Sequence, residues 1–294
     1  MGFIYIILGT LMWSVDTLIR YPLLNFVQPD TIVFIEHGFL VLYLIPLLFI
    51  NRFQFNRISL RSVFSFFIIG VIGSAISTLA FTKAFSLINP SLVILLQKLQ
   101  PLIAISLSSV VLKEKINPKF YLYAPLAFVG AFLVSYPDIA PVFQNADNTG
   151  VVTGYVLTLV AVVGWGASTV FGKSLAAQNF SETEIMTGRF AFGFLFLAAY
   201  STGYGALPTS AITIEVYLKI LVMVLISGLL GMYLYYKGLK LLTAHSSAIA
   251  ELFFPLTAVV INWVFLNKTL SAIQILGAVV LIAASMALQR QPKN

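Results

Sequence analysis

The residues Trp13-Ser14-Val15-Asp16-Thr17 are echoed 152 positions later by Trp165-Gly166-Ala167-Ser168-Thr169. With an offset of 154, Phe81-Thr82-Lys83-Ala84-Phe85 is likewise echoed by Tyr235-Tyr236-Lys237-Gly238-Leu239. The offset therefore stays nearly constant between positions far apart in the chain. A half-chain duplication in a very apolar protein is typical of transporters that are built from two related repeats.

Composition places the chain in a membrane. Its 294 residues are 60% hydrophobic and 9% charged, and the mean hydropathy is +0.98. Soluble domains carry about 25% charged residues. The absence of cysteine excludes disulfides and thiolate metal sites. The net charge of +7 does not indicate a nucleic-acid partner, because the basic residues lie mostly in short loops between apolar runs.

The apolar runs predict ten transmembrane helices. A bilayer core needs about 20 apolar residues per helix. Runs of this kind cover residues 3–21, 31–50, 63–82, 91–111, 119–137, 151–172, 185–202, 216–238, 247–266 and 272–289. They do not alternate in polarity as the strands of a membrane β-barrel do. The sequence therefore predicts an all-α integral membrane protein.

Charge in the loops predicts the orientation. The outer segments 23–30, 137–150 and 203–215 contain no lysine or arginine. Basic residues gather on the side of the N-terminus, so we expect both termini in the cytoplasm. Five spans per repeat is an odd number, so the two repeats must be inverted relative to each other. We expect a first repeat at 1–138, an outer linker at 139–150 and a second repeat at 151–294.

Four motifs carry a resemblance to a known family. Trp165-Gly166 begins a repeat, Arg189-Phe190 lies in a second helix, and Leu112-Lys113-Glu114-Lys115-Ile116 ends a fourth helix. A proline also interrupts each fourth helix, as Pro101 and Pro255. Together with ten spans and the duplication, these motifs resemble the drug/metabolite transporter superfamily, and within it the EamA-type ten-helix members.

The chain departs from that pattern at three places. Glu36-His37 stands where an arginine is usual, Asn267-Lys268 replaces a Gly-Glu pair, and Phe254 precedes the second proline where an acidic residue is common. The resemblance implies a secondary transporter in which four helices of each repeat enclose the site, while the fifth and tenth brace the outside. It does not decide among amino acids, amines, nucleotide sugars, drugs and other metabolites.

Charged residues inside the spans are the first candidates for the substrate site, because each costs at least about 2.5–3.5 kcal/mol on insertion scales. They are Asp16, Glu36, Lys98, Arg189 and Glu251. Structural readings remain open for each. Asp16 can pair with Arg20 at the i,i+4 spacing, and Glu36–Lys98 and Arg189–Glu251 can form bridges between helices.

Uncharged residues complete the predicted site. The duplication places Trp13 and Trp165 near mid-helix, as walls of a cavity or as packing anchors. Gln97 near Pro101, and Tyr233 on the face of Lys237, can orient a ligand by hydrogen bonds or join helices. Pro101 and Pro255 should bend the fourth and ninth helices, and bends at corresponding positions of two halves are typical of a midplane site.

These observations predict a secondary transporter that works by alternating access. The expected substrate is a small polar or amphipathic metabolite, amino-acid-like or an amine, with nucleotide sugars or other anionic metabolites as the alternative. The candidates for carrying a coupling proton are Asp16, Glu36 and Glu251, although ion-free exchange is equally allowed. A non-transporting membrane scaffold is the alternative of another class.

An enzyme is not expected, because the chain has only two histidines, far apart, and no cysteine. We expect no cofactor and no metal. The expected partners are the substrate and membrane lipid, and a monomer suffices because one chain holds both repeats. The expected location is a bacterial cytoplasmic membrane.

Overall fold

The computed structural model describes residues 1–50, 58–143, 149–204, 212–239, 241, 250 and 253–289. Ten helices follow one another: α1 Gly2–Leu23, α2 Pro29–Ile50, α3 Leu60–Phe85, α4 Pro90–Val111, α5 Phe120–Ile139, α6 Thr149–Ala176, α7 Glu182–Tyr204, α8 214–239, α9 Phe253–Leu266 and α10 Ala272–Gln289. The prediction of an all-α protein is confirmed.

Eight of these helices, α1 to α8, are long and apolar enough to cross a membrane. The apolar helices α9 and α10 are shorter. The predicted ninth span, 247–266, begins in a part of the chain that the structure does not describe, and α9 is seen from Phe253 onward. The other spans lie within a few residues of their predicted positions.

Local signals explain where individual helices begin. The turn predicted at Asn89-Pro90 is present: Pro90 is the first residue of α4, and the side chain of Asn89 accepts a hydrogen bond of 2.9 Å from the main-chain N–H of Ser91. Ser59 and Ser62 form a reciprocal capping box at the start of α3.

Two helices contain π-helical segments that the sequence did not predict. Residues Ile68–Ile76 are π-helical in the middle of α3, and residues Val224–Gly231 are π-helical in the middle of α8. A π-segment leaves some main-chain carbonyls outside the usual i→i−4 pattern, and such segments are frequent at functional sites. The two segments occupy corresponding places in the two halves of the sequence.

The helices of the two halves interlock. Helix α3 packs against α6 and α7, whereas α8 packs against α1. Glycines allow this approach: a Cβ on Gly70 would lie 2.8 Å from the carbonyl oxygen of Arg189, and one on Gly9 would lie 2.8 Å from that of Gly231. Helices α5 and α10 pack mainly against each other.

Candidate functional site

A buried charge cluster joins α1, α2 and α3. The guanidinium of Arg20 binds both oxygens of Asp16, at 2.7 and 3.2 Å, and both oxygens of Glu36, at 2.9 and 3.1 Å. It also donates to the hydroxyl of Thr82 at 3.0 Å. The Arg20 side chain is only 5% exposed, and each carboxylate is 15% exposed. We name these four residues the arginine cluster. Its formal charge is −1, because two carboxylates face one guanidinium.

The second half of the chain reaches this cluster through α8. The hydroxyl of Ser227 donates to Asp16 at 2.9 Å. The main-chain carbonyl of the same serine accepts a hydrogen bond of 3.1 Å from the indole N–H of Trp13. One residue of the α8 π-segment therefore contacts α1 twice, once at a charged group and once at an aromatic one.

The π-segment of α3 also accepts a hydrogen bond from the other half, here from α7. The guanidinium of Arg189, in α7, donates to the carbonyl of Gly73 at 2.9 Å. Gly73 and Ser227 are 154 positions apart, the same offset as between Phe81 and Tyr235. In each half, therefore, a π-segment carbonyl at the equivalent position accepts a hydrogen bond from a side chain of the other half.

His37 follows Glu36 of the arginine cluster in the sequence, but its two ring nitrogens contact Val33 and Ser74. Its Nδ1 is 2.9 Å from the carbonyl of Val33, and its Nε2 is 2.9 Å from the hydroxyl of Ser74. Because a carbonyl only accepts, Nδ1 donates. The side chain is fully buried, so His37 joins α2 to α3.

Aromatic pairs flank the centre of the bundle. The ring centroids of Trp13 and Tyr235 are 5.0 Å apart, and those of Trp165 and Phe81 are 4.9 Å apart. Each pair joins one helix from each half, and the tryptophans and their partners are matched by the sequence duplication. Phe254 adds an edge contact to Trp13 at 6.2 Å.

Helix α4 is interrupted by a short 3-10 turn. Residues Gln97–Leu99 form a 3-10 turn directly before Pro101, and this turn packs against α6. The ammonium of Lys98 lies 5.8 Å from the ring centroid of Phe254. The side-chain oxygen of Gln97 is buried and accepts no hydrogen bond within the described part of the chain, whereas Gln100 donates to Thr169 at 3.3 Å.

The sequence model of the EamA-like transporter family matches residues 1–136 and again residues 152–288. The chain belongs to the EamA-like transporter family. It is accordingly a multi-pass integral membrane protein and a transporter for a small molecule, not an enzyme.

This EamA-family chain is similar to two further proteins over nearly its full length. It is 29% identical to the riboflavin transporter ImpX of Fusobacterium nucleatum subsp. nucleatum (strain ATCC 23726 / VPI 4351), over 98% of this chain and 97% of that protein. It also resembles a protein of known crystal structure with a TM-score of 0.63 and 16% identity, over 97% of this chain and 95% of the other. The second likeness concerns the fold alone.

The structure brings several of the predicted residues of this EamA-family chain together. Asp16 and Glu36 meet at Arg20, Trp13 contacts the π-segment of α8, and Lys98 lies over Phe254. The i,i+4 pairing of Asp16 with Arg20 is present. For Glu36 we expected an ion pair with Lys98 as one possibility, and the structure shows an ion pair with Arg20.

One described residue of the predicted set, Tyr233, is not brought into this site. Tyr233 is 62% exposed, with the ammonium of Lys237 5.6 Å from its ring centroid. It lies on the outer surface of α8, because two residues along a helix turn the side chain to nearly the opposite face from Tyr235. Glu251 lies outside the described residues, as does any contact between it and Arg189. Pro255 lies near the described start of α9 and is buried.

Four residues of the site were not predicted from the sequence: Thr82, Ser227, Tyr235 and Phe81. A usable signal was present for the two aromatic residues. Each is the first residue of its duplicated segment, 81–85 or 235–239, so the duplication aligns Phe81 with Tyr235. No such signal marks Ser227: its equivalent is Gly73, which has no side chain, and its contact with Trp13 uses the main chain.

Proposed function

We propose that this EamA-family transporter moves riboflavin, or a metabolite with a similar planar heteroaromatic ring and a polar side chain. The proposal starts from the full-length similarity to the riboflavin transporter ImpX. It gains support from the described side chains of the two aromatic pairs and of the 3-10 turn Gln97–Leu99, which supply aromatic, amide and cationic groups.

The two cross-half aromatic pairs are the observation on which the proposal depends. By the helical rise, Trp13 and Trp165 both lie within about 4 Å of the midpoints of their helices. Flat rings stack on tryptophan, tyrosine and phenylalanine, and each such contact contributes about 0.5–1.5 kcal/mol beyond the area that it buries. A planar ligand between the halves would therefore bind aromatic surface from both.

Polar groups beside the rings suit such a ligand. The buried oxygen of Gln97 has no donor among the described residues, and a buried acceptor without a donor costs about 1–3 kcal/mol. An imide N–H of a flavin ring, or a hydroxyl of its side chain, can donate to it. Lys98 in the same turn can donate to a ring carbonyl.

The expected amine or amino-acid substrate fits the described site less well. An ammonium group needs a carboxylate that is not already bound to a cation. The carboxylates of Asp16 and Glu36 both bind Arg20 through both oxygens. Nucleotide sugars would need several cations around a diphosphate, and the aromatic pairs do not supply them.

We further propose that transport proceeds by alternating access between two inverted halves, residues 1–138 and 151–294, with 139–150 as the outer linker and both termini in the cytoplasm. Matched positions in the two halves support this proposal. The equivalent carbonyls of Gly73 and Ser227 both accept across the interface, although from different helices, and Trp165–Phe81 mirrors Trp13–Tyr235. We propose the bacterial cytoplasmic membrane as the location.

The arginine cluster is our proposed coupling site. A buried group that keeps a net charge is unfavourable at membrane depth, and one proton on Asp16 or Glu36 would make the cluster neutral. Ser227 of α8 donates a hydrogen bond to Asp16. A change in the charge of Asp16 would therefore alter a contact with the other half of the protein. Glu251, the third candidate, lies outside the described residues.

The test is riboflavin counterflow in proteoliposomes, which detects transport without assuming its direction. We expect accumulation of labelled riboflavin against preloaded unlabelled riboflavin, and no accumulation with lysine or a nucleotide sugar on both sides. Gln97→Leu should weaken riboflavin binding about tenfold, the factor that corresponds to one hydrogen bond with a buried acceptor. The matched control is Gln100→Leu, because the amide of Gln100 already donates to Thr169.

Each outcome bears on the proposal. Counterflow of an amine instead of riboflavin would contradict the flavin substrate and restore the expectation from the sequence. Absence of any counterflow, together with no thermal stabilisation by riboflavin, would favour the scaffold. Equal effects of the two glutamine variants would mean that Gln97 does not face the ligand.

A further inference from the structure

The same main-chain cap ends α4 and α9. Lys113 and Asn267 have positive φ angles of 57° and 53°. The N–H of Glu114 donates to the carbonyl of Ser108 at 3.3 Å, and the N–H of Lys268 donates to that of Asn262 at 3.0 Å. In both caps the N–H that follows the left-handed residue bonds to a carbonyl six positions earlier, one position further back than in the Schellman motif. This cap holds Glu114 and Lys268 in the same position relative to their helices.

These two residues have opposite charges, and each contacts a helix of the other half. The carboxylate of Glu114 forms an ion pair of 2.5 Å with Lys173 in α6. The ammonium of Lys268 lies 5.2 Å from the ring centroid of Tyr21 in α1. Glu114 and Lys268 are 154 positions apart, and Tyr21 and Lys173 are 152 apart, the offset of the two tryptophans. The ion pair and the cation–π contact are therefore equivalent in the duplication.

The two contacts lie at opposite ends of α4. Glu114 follows the end of this helix, whereas Asn89, which caps its start, donates a hydrogen bond of 2.9 Å to the carbonyl of Thr269, the neighbour of Lys268. The 22 residues of α4 separate the two ends by about 33 Å. The ion pair itself lines a cleft of about 170 Å³ that α4 and α6 bound together with the ends of α5 and α10, and Val170 lines it too.

We propose that these contacts are the two latches of the transport pathway: Glu114–Lys173 closes one end, and Lys268–Tyr21 closes the other. The proposal rests on the proposed alternating-access function. Both contacts involve exposed or half-exposed side chains, as in the ion pair with Lys173 61% and Glu114 39% exposed. Such contacts are weak, so each can break and re-form within a transport cycle. Lysine stands at position 268 where the family pattern has an acid, so the second latch is a cation–π contact and the first is an ion pair.

Single cysteines can report the opening of each end, because the natural chain has none. Val170→Cys lies nearly one turn below Lys173, and Thr17→Cys lies one turn below Tyr21. Both native side chains are 2% exposed. The rate of reaction with a soluble maleimide is measured on purified protein without substrate, so failure of riboflavin transport would not affect the readout.

We expect Glu114→Gln to raise the labelling rate of Val170→Cys roughly two- to fivefold, because this factor corresponds to the loss of one weak surface contact. The same substitution should lower the labelling rate of Thr17→Cys. Lys268→Gln should have the opposite effect on the two reporters. The charge exchange Glu114→Lys with Lys173→Glu should restore the original rates. The matched control is Glu215→Gln, which removes the exposed ion pair to Lys219 within α8 and should change neither reporter.

Three results would overturn the proposal. Unchanged rates in Glu114→Gln and Lys268→Gln would show that the contacts do not hold the ends closed. A rise of both reporters together would show general loosening and not alternation. Failure of the charge exchange to restore the rates, in a variant whose melting temperature equals that of the original protein, would show that the ion pair is not the operative contact.

Discussion

The indole N–H of Trp13 donates a hydrogen bond of 3.1 Å to the main-chain carbonyl of Ser227, a residue in the other half of the chain. The acceptor lies in the π-segment Val224–Gly231, and the hydroxyl of the same residue donates to Asp16. Trp13 thus combines a contact between the halves with an aromatic surface near mid-depth. These two roles can be separated by mutation.

Trp13→Phe should keep aromatic surface and lose the hydrogen bond. We expect a loss of about 1 kcal/mol in stability, because the carbonyl of Ser227 loses a donor, and riboflavin affinity within a few-fold of the original. Trp13→Ala should reduce affinity at least about tenfold, since stacking and burial are lost together. Melting temperatures and riboflavin titrations measure the two effects. Trp263, which is 55% exposed, is the control: Trp263→Phe should change neither.

The close contact of α3 with α7 provides a second prediction. A Cβ on Gly70 would lie 2.8 Å from the carbonyl oxygen of Arg189, so Gly70→Ala should push the helices apart and cost about 1–3 kcal/mol by overpacking. Gly172→Ala in α6 is the matched control, because nothing lies within 4 Å of its added methyl group and alanine favours a helix over glycine. Thermal unfolding compares them. Equal melting temperatures would contradict the tight packing of α3 on α7.

How far the sequence could predict this structure differs from residue to residue. Hydropathy and duplication predicted the helices, the turn at Asn89 and the matched tryptophans, because these depend on local composition and on the offset. They did not predict the π-segments, since residues 68–76 are apolar throughout except for Ser74 and give no local signal for a change of hydrogen-bond pattern.

The site was predicted in part for a related reason. Asp16 and Arg20 are neighbours on one helix face, so their pairing follows from spacing alone. The contacts of Arg20 with Glu36 and Thr82 depend on the rotation of α2 and α3 about their axes, which sequence spacing does not determine. The same limit applies to Tyr233, whose position two residues from Tyr235 turns it to the outer surface.

The arginine cluster provides a third prediction. Arg20→Gln would leave two buried carboxylates without a cation, and we expect a loss of about 3–5 kcal/mol, as for other broken buried ion pairs. The variant should give little monodisperse protein in detergent. Adding Asp16→Asn and Glu36→Gln should restore the yield, because the three side chains are then neutral. If the triple variant folds no better than Arg20→Gln, the cluster is not held together by charge balance. Lys219→Gln, at an exposed pair, controls for the loss of one cation.

The last prediction concerns coupling, and it uses the charge of the same cluster. Asp16→Asn leaves Glu36 and Arg20 as a one-to-one pair, and the amide oxygen of asparagine can still accept from Ser227 and Arg20. The excess negative charge is lost, so the cluster no longer gains neutrality by taking up a proton. We therefore expect riboflavin counterflow to persist while stimulation of riboflavin flux by a pH gradient disappears. Flux is measured with acid inside and with acid outside the proteoliposomes, since the direction of transport is an outcome of the experiment.

Asp30→Asn is the control, because Asp30 lies in the first turn of α2 and binds only the N–H of Thr31 among the contacts that the structure describes. Gradient-driven flux that survives in Asp16→Asn would assign the coupling to another group, and equal loss of flux and counterflow would mean that Asp16 supports the structure of the site and carries no proton.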